Sequence, residues 1–281
     1  MGKKVNVIVS NKCNLNCKHC YMKNIINTDR RVNYESIIDL LYMIDHAYGI
    51  DEIYFWDGES LLGDTDYILE IMNDFKKAKY KIISNLTFKL DSNMRRIIEK
   101  ADYMCTSFDI DSVRFNNMKQ LNRWYYNCKD IISKRELGVI CSVTSYVTKY
   151  DPSRFIDLFN KIGFSDYFFI TMHNIGNLKN NPYLIPKRNE YIEFMDKLLK
   201  IDDKKNKNLE SLKNHIGFKC NQSDKDYINI YFDGYSISCA STNIDCKLKI
   251  NPECLMCDLY KSCGGRSNCV PYCINTKRKF K

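Results

Sequence analysis

Hydrophobic positions along the first 172 residues change their spacing in a regular way. Short runs rich in β-branched and aromatic residues, typical of buried strands, alternate with longer stretches in which apolar residues recur every three or four positions. Six such strand-and-helix repeats with short loops predict an α/β protein whose parallel sheet is covered by helices, as in a partial (β/α)6 TIM-like barrel. The predicted strands are Val5–Val9, Ile53–Trp56, Lys81–Ser84, Tyr103–Phe108, Val139–Val147 and Tyr167–Met172.

The repeat pattern stops after the sixth predicted strand. Residues Asn174–Pro186 are rich in Asn, Gly and Pro and are typical of a loop, and one more amphipathic helix is predicted over about Lys187–Leu199. The range from Cys220 to Cys273 then holds eight of the fourteen cysteines. We therefore predict a barrel domain over residues 1–200, a linker over 201–214 and a small cysteine-rich C-terminal domain over 215–281.

Composition narrows the class of protein only moderately. The chain has 281 residues, 44% hydrophobic content and a formal net charge of +9, and no apolar run is long enough to span a bilayer, so no membrane partner is expected. The positive charge is spread over loops and helix faces, which indicates a solvated surface, and no nucleic-acid partner is expected. Fourteen cysteines without a secretory signal segment predict a reducing, cytoplasmic location.

Three cysteines lie close together directly after the first predicted strand. Cys13, Cys17 and Cys20 have the spacing C-x3-C-x2-C. Three thiolates on one loop can hold three corners of a cubic iron–sulfur cluster and leave the fourth iron open for a substrate or cosubstrate. The alternative is a zinc site with His19 as the fourth ligand, although the usual spacing of zinc modules is missing. An open metal position predicts an enzyme.

Polar residues also follow the other predicted strands. In β/α barrels the chemistry takes place at the carboxyl ends of the strands, so these residues are expected to face one site. Each also has a structural interpretation, with Glu59 as a helix N-terminal carboxylate and Ser84 and Asn85 as turn formers. The strand-end residues are Asp57-Gly58-Glu59-Ser60, Ser84-Asn85, Ser107-Phe108-Asp109, Ser142, Thr144 and His173.

The segment from Cys13 to Tyr21 resembles the cluster-binding loop of the radical S-adenosylmethionine (SAM) superfamily. The segment Asp57–Ser60 is similar to that family's Gly-Gly-Glu-Pro segment, with Asp57 in place of a glycine and Ser60 in place of the proline. The resemblance implies that Cys13, Cys17 and Cys20 are catalytic, binding a 4Fe–4S cluster that cleaves SAM to a 5′-deoxyadenosyl radical. It assigns to SAM the residues Tyr21, Asp57, Gly58, Glu59, Ser84, Asn85, Ser107 and Asp109.

The C-terminal cysteines are similar to the SPASM extension of radical SAM enzymes, which holds two auxiliary 4Fe–4S clusters. Eight thiolates are the number that two fully ligated clusters need, which makes three clusters in the whole chain. If Cys246 is not a ligand, the first auxiliary cluster has an open iron. A zinc ribbon is the alternative, because C-x2-C pairs serve both metals. By analogy with the family, one cluster takes Cys220, Cys239, Cys246 and Cys269, and the other takes Cys254, Cys257, Cys263 and Cys273.

Relatives with a SPASM extension mostly modify peptides or proteins. The resemblance therefore implies a maturase that abstracts hydrogen from a ribosomally made precursor peptide and installs a thioether or carbon–carbon cross-link. The expected partners are the precursor peptide and an electron donor such as flavodoxin or ferredoxin, in an anaerobic or low-oxygen organism. Only four residues precede Val5, so leader binding is expected to use the barrel, the C-terminal domain or a separate leader-binding protein.

Two alternatives stay open. The first is a peptide epimerase that uses Cys105, Cys128 or Cys141 as a hydrogen donor, although a buried cysteine is ordinarily a small hydrophobic residue. The second, of another class, is a ferredoxin-like electron carrier or a zinc-ribbon binding module. Neither of these modules needs an open-iron loop joined to six β/α repeats.

Overall fold

The structure is a computed structural model that describes residues 2–23, 26–27, 31–56, 58–110, 114–172, 176–208, 227–230 and 236–237. Its strands are β1 (Lys3–Val7), β2 (Ile50–Phe55), β3 (Lys79–Ser84), β4 (Tyr103–Phe108), β5 (Gly138–Val143), β6 (Asp166–Thr171), β7 (Tyr227–Ile230) and β8 (Ser236–Ile237). Its α-helices are α1 (Tyr34–Tyr48), α2 (Thr65–Asp74), α3 (Ser92–Lys100), α4 (Met118–Ile132), α5 (Pro152–Ile162) and α6 (Arg188–Leu199). Short 3-10 helices cover Ser60–Leu62, Val147–Lys149, Gly176–Asn180 and Pro182–Leu184.

The strands form one open sheet in the order β6-β5-β4-β3-β2-β1-β7-β8. Pairing is parallel from β6 through to β7, and the short β8 runs antiparallel to β7. This confirms the predicted parallel α/β architecture with helices between successive strands. The seventh parallel strand was not predicted. It comes from residues 227–230, within the range assigned to the C-terminal domain, and it pairs with β1.

The two faces of the sheet differ in polarity. Val5 and Val7 of β1 lie in the main hydrophobic core with residues of the helices, and the same face of β4 carries Thr106, whose hydroxyl accepts a 3.0 Å hydrogen bond from Trp124 of α4. The opposite face carries polar side chains such as Asn6, which donates to Asn229 of β7 at 3.1 Å. The inner face of the partial barrel therefore carries buried polar side chains at β1 and β7, while the outer face is packed by helices.

The sequence pattern identifies the helix ends well. Asp151 caps α5 by accepting a hydrogen bond from the Ser153 amide at 3.0 Å, and Pro152 occupies the first turn. Gly163 ends that helix with a φ of 105°, in the left-handed region that glycine adopts without strain.

Several predicted segments differ from the structure. The first strand covers Lys3–Val7 and not Val5–Val9. The fifth strand ends at Val143 and not at Val147, because the Thr144 hydroxyl accepts a hydrogen bond from the Val147 amide and starts a turn that the apolar pattern conceals. The predicted loop Asn174–Pro186 contains two 3-10 helices, over 176–180 and 182–184. Leu178 and Leu184 of these helices are buried with Met172, so this connection has a small core of its own.

The edge strand β6 is covered by residues that follow α6. The Tyr167 amide donates to the carbonyl of Lys205 at 2.9 Å. Asn208 bonds both the amide and the carbonyl of Phe169, each at 2.8 Å. These contacts satisfy backbone groups that an open edge exposes, which protects the edge from pairing with another chain.

The remaining sequence predictions fall partly outside this structure. Within the described ranges no helix has the length and apolar character needed to cross a bilayer. The eight C-terminal cysteines, Asp57 and His173 lie outside the described residues.

Candidate active site

The cysteine loop leaves β1 at the carboxyl edge of the sheet. Cys13 and Cys20 are half-buried and Cys17 is buried, and all three are free thiols. The Cys20 amide donates to the Cys17 carbonyl at 3.1 Å, which folds this part of the loop into a turn. Burial raises the pKa of Cys13 to about 12 and that of Cys20 to about 11. The thiols are therefore protonated at neutral pH unless a metal replaces their protons.

Asn27 fixes the start of the loop. Its side-chain oxygen accepts from the Cys13 amide and its side-chain nitrogen donates to the Cys13 carbonyl, both at 3.0 Å. Asn27 itself has a φ of 54°, a conformation that Asn tolerates better than most residues. A single side chain thus holds both backbone polar groups of Cys13.

The end of β3 contacts the same loop. The Asn85 side-chain nitrogen lies 3.0 Å from the Asn14 side-chain oxygen and 3.9 Å from the Cys13 sulfur. Asn14 in turn donates to the Thr87 hydroxyl at 2.8 Å. The Asn85 side-chain oxygen accepts from the Thr87 amide at 3.0 Å, which is a turn-forming contact. Asn85 therefore acts both as a turn former and as a contact of the cysteine loop.

Glu59 is the most buried carboxyl of the site, with 1% of its surface exposed. One oxygen accepts from the Ser84 hydroxyl at 2.8 Å and the other from the Asn85 amide at 2.7 Å. Burial raises the pKa of Glu59 to about 7, although the hydrogen bonds from Asn85 and Ser84 oppose that rise. Glu59 also stands at the N-cap position of the 3-10 helix Ser60–Leu62, as the helix N-terminal interpretation expects, although its side-chain hydrogen bonds go to Ser84 and Asn85.

The backbone before Glu59 explains the glycine at position 58. Gly58 has a φ of 68°, and a Cβ there would lie 2.9 Å from the Ser10 carbonyl oxygen. The adjacent Glu59 amide donates to the Lys12 carbonyl at 3.0 Å. Glycine at this position lets the segment after β2 lie directly against the segment after β1.

A charged group follows β4. Asp109 is 2% exposed, and its two oxygens accept from the Ser142 amide at 3.0 Å and from the Arg114 Nε at 2.6 Å. His19 Nε2 lies 3.6 Å from Asp109 and 3.4 Å from both an Arg114 guanidinium nitrogen and the Ser142 hydroxyl. Burial lowers the pKa of His19 to about 4, so the imidazole is neutral at physiological pH. These contacts join the cysteine loop to the ends of β4 and β5.

Two other predicted site residues are Tyr21 and Ser107. Tyr21 is 39% exposed at the end of the cysteine loop. Ser107 lies on the inner face of β4 and is nearly buried. The predicted strand-end residues are thus brought to one edge, and the closest contacts with the cysteine loop come from Glu59, Asn85 and Asp109, through Lys12, Asn14 and His19 respectively.

Three contributors to the site were missed by the sequence analysis. Asn27 and Arg114 lie in loops with no recognisable motif around them. Asn177, in the connection predicted to be a loop, donates to the Cys17 carbonyl at 2.9 Å, and its amide donates to the Cys20 carbonyl at 2.9 Å. The neighbouring Gly176 has a φ of 58°, and a Cβ there would lie 2.5 Å from the Cys20 carbonyl oxygen. A glycine in a loop can indicate that the backbone packs closely against another segment. The sequence does not show that this segment is the cysteine loop.

The donor set fits an iron–sulfur cluster of the type the cysteine loop indicates. Three thiols lie on one loop, and the imidazole between them contacts Asp109, Arg114 and Ser142, which disfavours zinc with His19 as a ligand. Within the described ranges, no three or more His, Cys, Asp or Glu side chains are grouped to hold a single metal ion. In a cubic cluster each thiolate binds a different iron, so the thiols need not converge on one point.

Comparison with known proteins agrees with this description. Residues 7–117 match the model of the Radical SAM superfamily. No curated protein matches the sequence. The chain is similar to the structure of Streptococcus suis SuiB bound to precursor peptide SuiA, with a TM-score of 0.66 and 13% identity over 95% of this chain and 72% of that one.

Two further solved structures are of anSMEcpe. With bound AdoMet, anSMEcpe has a TM-score of 0.72 and 14% identity over 96% of this chain and 90% of that one. With AdoMet and the Cp18Cys peptide, it has a TM-score of 0.68 and 17% identity over 95% and 89%. At these identities the likeness shows the fold alone. The family match assigns residues 7–117 to a radical SAM superfamily domain, which supports a radical SAM enzyme.

Proposed function

We propose that the chain is a radical SAM maturase that installs a thioether or carbon–carbon cross-link in a ribosomally made precursor peptide. The observation that carries the proposal is the meeting of the three-cysteine loop with the buried Glu59–Ser84–Asn85 group at the carboxyl edge of one parallel sheet. When bound, the cluster and SAM supply a 5′-deoxyadenosyl radical that abstracts hydrogen from the peptide.

The roles proposed for the described residues follow from their contacts. Cys13, Cys17 and Cys20 hold the cluster. Gly58, Glu59, Ser84 and Asn85 form a buried polar wall beside them, which suits the polar amino-acid end of SAM. Glu59 has a pKa of about 7, so it can lose its proton when an ammonium group comes near. Tyr21, Ser107 and Asp109 are the remaining SAM contacts proposed here, together with Asp57, which lies outside the described residues.

Apolar side chains cover one side of the cysteine loop. Ile8, Met22 and Ile26 form a small buried cluster against which Cys13 and Cys20 pack. This apolar cluster packs on one side of the loop, and Asn177 holds the loop backbone through its bonds to the Cys17 and Cys20 carbonyls. Holding the reacting groups in a dry, fixed site is the contribution that the protein makes to radical chemistry of this kind.

The proposal for the C-terminal domain rests on the sequence alone. Residues 215–281 are proposed as a SPASM-like domain that holds two auxiliary clusters through its eight cysteines, with residues 201–214 as the linker after the barrel. Three 4Fe–4S clusters predict about twelve irons per chain. About four irons together with one or two zinc ions per chain support the zinc-ribbon alternative. Iron and zinc analysis of anaerobically purified protein distinguishes the two.

The substrate class rests on the neighbours and on the open sheet. SuiB is crystallised with a precursor peptide and anSMEcpe with a peptide, and both share the fold of this chain. A sheet that stays open leaves a lateral opening that suits an extended peptide. A flavodoxin or ferredoxin is proposed as electron donor, in the cytoplasm of an anaerobic or low-oxygen organism, with a separate leader-binding protein where the chain does not bind the leader itself.

A peptide epimerase is the second candidate, and the position of one cysteine supports it. Cys128 and Cys141 lie in the hydrophobic core between sheet and helices. Cys105 is outside that core, and it alternates with Thr106, which faces Trp124 of α4. Cys105 therefore belongs to the inner face of the sheet, where a hydrogen donor to a peptide radical has to lie.

The test is an anaerobic assay with SAM, a strong reductant and the short peptide encoded next to the gene. Cross-linking predicts release of methionine and 5′-deoxyadenosine together with a peptide that has lost two hydrogens. Epimerisation predicts an unchanged peptide mass and one hydrogen taken up from solvent. Failure to release 5′-deoxyadenosine overturns both.

A further inference from the structure

The solvent-facing side of the cysteine loop is basic. Lys12 precedes Cys13 and Lys18 follows Cys17, and both lysine side chains are exposed. Residues 1–28 contain no Asp or Glu, so neighbours in the chain offer these lysines no acidic partner. Among the residues that the structure describes, neither lysine forms an ion pair. Their charges therefore face solvent without a counter-charge from the described part of the chain.

The 3-10 connection adds a further positive charge to the same surface. Asn177 and Asn181 both donate hydrogen bonds to carbonyls of the cysteine loop, and the bond from Asn181 reaches the Lys18 carbonyl at 3.2 Å. Lys179 lies between these two asparagines in the chain and is exposed. Residues 167–189 also contain no Asp or Glu. Two segments that are far apart in the sequence thus bring unpaired lysines together, and Lys179 has no ion pair within the described ranges.

This lysine surface, formed by Lys12, Lys18 and Lys179, lies directly at the proposed cluster ligands. Two of its lysines are the chain neighbours of Cys13 and Cys17. A protein held against these side chains therefore stands beside the cluster. An electron passes through the loop without an open channel, whereas a peptide that gives up a hydrogen atom has to touch the reacting group inside the site. The position of the surface therefore favours an electron carrier over the precursor peptide as its occupant.

We propose that Lys12, Lys18 and Lys179 form the docking surface for an acidic one-electron carrier protein, such as a flavodoxin, that reduces the cluster on the cysteine loop. This inference rests on the proposed function. In the step, the reduced carrier loses one electron and the oxidised cluster gains it, and no bond is made or broken. A cationic surface speeds the approach of an acidic partner. Electron-transfer complexes are small and transient, so a few exposed charges suffice.

The first experiment measures binding of oxidised recombinant flavodoxin to the full-length, cluster-loaded protein by isothermal titration calorimetry. We expect charge reversal in the double variant Lys18→Glu/Lys179→Glu to weaken binding about tenfold or more at low ionic strength. High salt is expected to weaken binding to wild type and to change binding to the variant little, because exposed charges are screened.

The matched control is the double variant Lys76→Glu/Lys77→Glu, which changes the net charge by the same amount. These two lysines are also exposed, but they precede β3 and so lie at the opposite edge of the sheet. We expect this variant to bind flavodoxin as wild type does. Equal weakening in the two double variants shows an effect of net charge alone and overturns the proposal.

The second experiment measures release of 5′-deoxyadenosine with either reduced flavodoxin or dithionite as the reductant. With dithionite, Lys18→Glu/Lys179→Glu is expected to match wild type, because both side chains are exposed and neither is a proposed ligand or SAM contact. With flavodoxin, the variant is expected to need about tenfold more carrier for its half-maximal rate. An unchanged need for flavodoxin overturns the proposal. A raised need for precursor peptide alone assigns the surface to the peptide and overturns it as well.

A milder variant covers the case in which charge reversal disturbs the loop. If Lys18→Glu/Lys179→Glu loses iron, Lys18→Gln/Lys179→Gln is compared with wild type in both experiments, and weaker flavodoxin binding is again the expected result. Flavodoxin binding equal to that of wild type in this variant overturns the proposal. If wild type releases no 5′-deoxyadenosine with dithionite, the proposed function fails, whereas the binding experiment still decides whether the lysine surface holds the carrier.

Discussion

The Glu59 carboxyl and the Ser84 hydroxyl lie 2.8 Å apart and connect the segment after β2 to the end of β3. The Asn85 amide binds the other oxygen of the same carboxyl, and the Asn85 side chain continues to Asn14 in the cysteine loop. Three successive strand ends are therefore joined through one buried carboxyl group. The hydrogen bonds of Glu59 therefore hold the strand ends beside the cysteine loop together, in addition to the cofactor contact proposed for it above.

Substitution Glu59→Gln tests the buried carboxyl through the pH dependence of stability. The pKa of Glu59 is about 7 in the folded protein and 4.5 in its ordinary state. Between these values the unfolded chain releases a proton that the folded chain keeps, so stability falls as pH rises from about 4.5 to about 7 and then levels off. The loss is on the order of 3 kcal/mol.

Urea unfolding of the metal-free protein at several pH values measures that loss. We expect wild type to lose stability relative to Glu59→Gln across this range, because glutamine does not titrate. Its side-chain oxygen still accepts from the Asn85 amide, and its nitrogen donates to the Ser84 hydroxyl, which also has acceptor lone pairs. Other titrating groups contribute equally to both proteins and cancel in the difference. Parallel pH profiles for the two proteins contradict the assignment.

Replacing a cysteine of the loop tests cluster binding. Cys17→Ala is expected to remove about four irons per chain and to abolish SAM cleavage, while the C-terminal cysteines keep the remainder. Cys141→Ala is the matched control, since Cys141 is equally buried but lies in the hydrophobic core. Its iron content is expected to equal that of wild type. Iron analysis and quantification of 5′-deoxyadenosine check both variants. Full iron content in Cys17→Ala contradicts the proposed ligand set.

The fold was largely predictable because each strand and helix leaves a local pattern. Val5 and Val7 alternate with polar residues, and Asp151-Pro152 marks a helix start, so six repeats could be read without tertiary information. The site was predictable only where residues follow strands directly, as Glu59 and Ser84 do. The other contacts of the site are made by loop residues, and their positions depend on how the loops pack against the ends of the strands.

Arg114 illustrates that limit. It lies five residues beyond Asp109 in a loop, and its contact with His19 joins positions 95 residues apart in the chain. The pairing of β7 with β1 is similar, because a four-residue strand within a cysteine-rich region carries no signal for its partner. Such contacts are fixed by packing over long sequence separations, and neither local propensity nor motif spacing records them.

Gly176 provides a test of how the 3-10 connection holds the cysteine loop. In Gly176→Ala the new Cβ meets the Cys20 and Tyr21 carbonyl oxygens at 2.5 Å, in a backbone with a φ of 58°. We expect the loop to be displaced and iron at that site to be lost. Gly49→Ala is the matched control, because its φ is 72° but the nearest atom to a new Cβ is 4.0 Å away.

The control separates backbone strain from steric clash. Gly49→Ala is expected to lose about 1 kcal/mol of stability from the left-handed conformation and to keep its full iron content. Thermal unfolding and iron analysis measure both quantities. Equal iron content in the two variants shows that the 3-10 connection does not support the loop.

Cys105→Ala separates the two candidate reactions. Cys105 lies on the inner face of β4 and is 1% exposed, whereas Cys128 and Cys141 belong to the main hydrophobic cluster between the sheet and the helices, so Cys105 is the hydrogen donor proposed for the epimerase. If the enzyme forms cross-links, the variant is expected to release 5′-deoxyadenosine and to produce the same cross-linked peptide as wild type. Cys128→Ala is the control, because Cys128 lies on α4 and faces the main hydrophobic core. It is expected to give the same result. Chiral amino-acid analysis and mass spectrometry of the peptide check both. An epimerised product that disappears in Cys105→Ala alone replaces the cross-linking proposal with the epimerase, because a radical that has lost its hydrogen donor returns to the starting peptide or stalls.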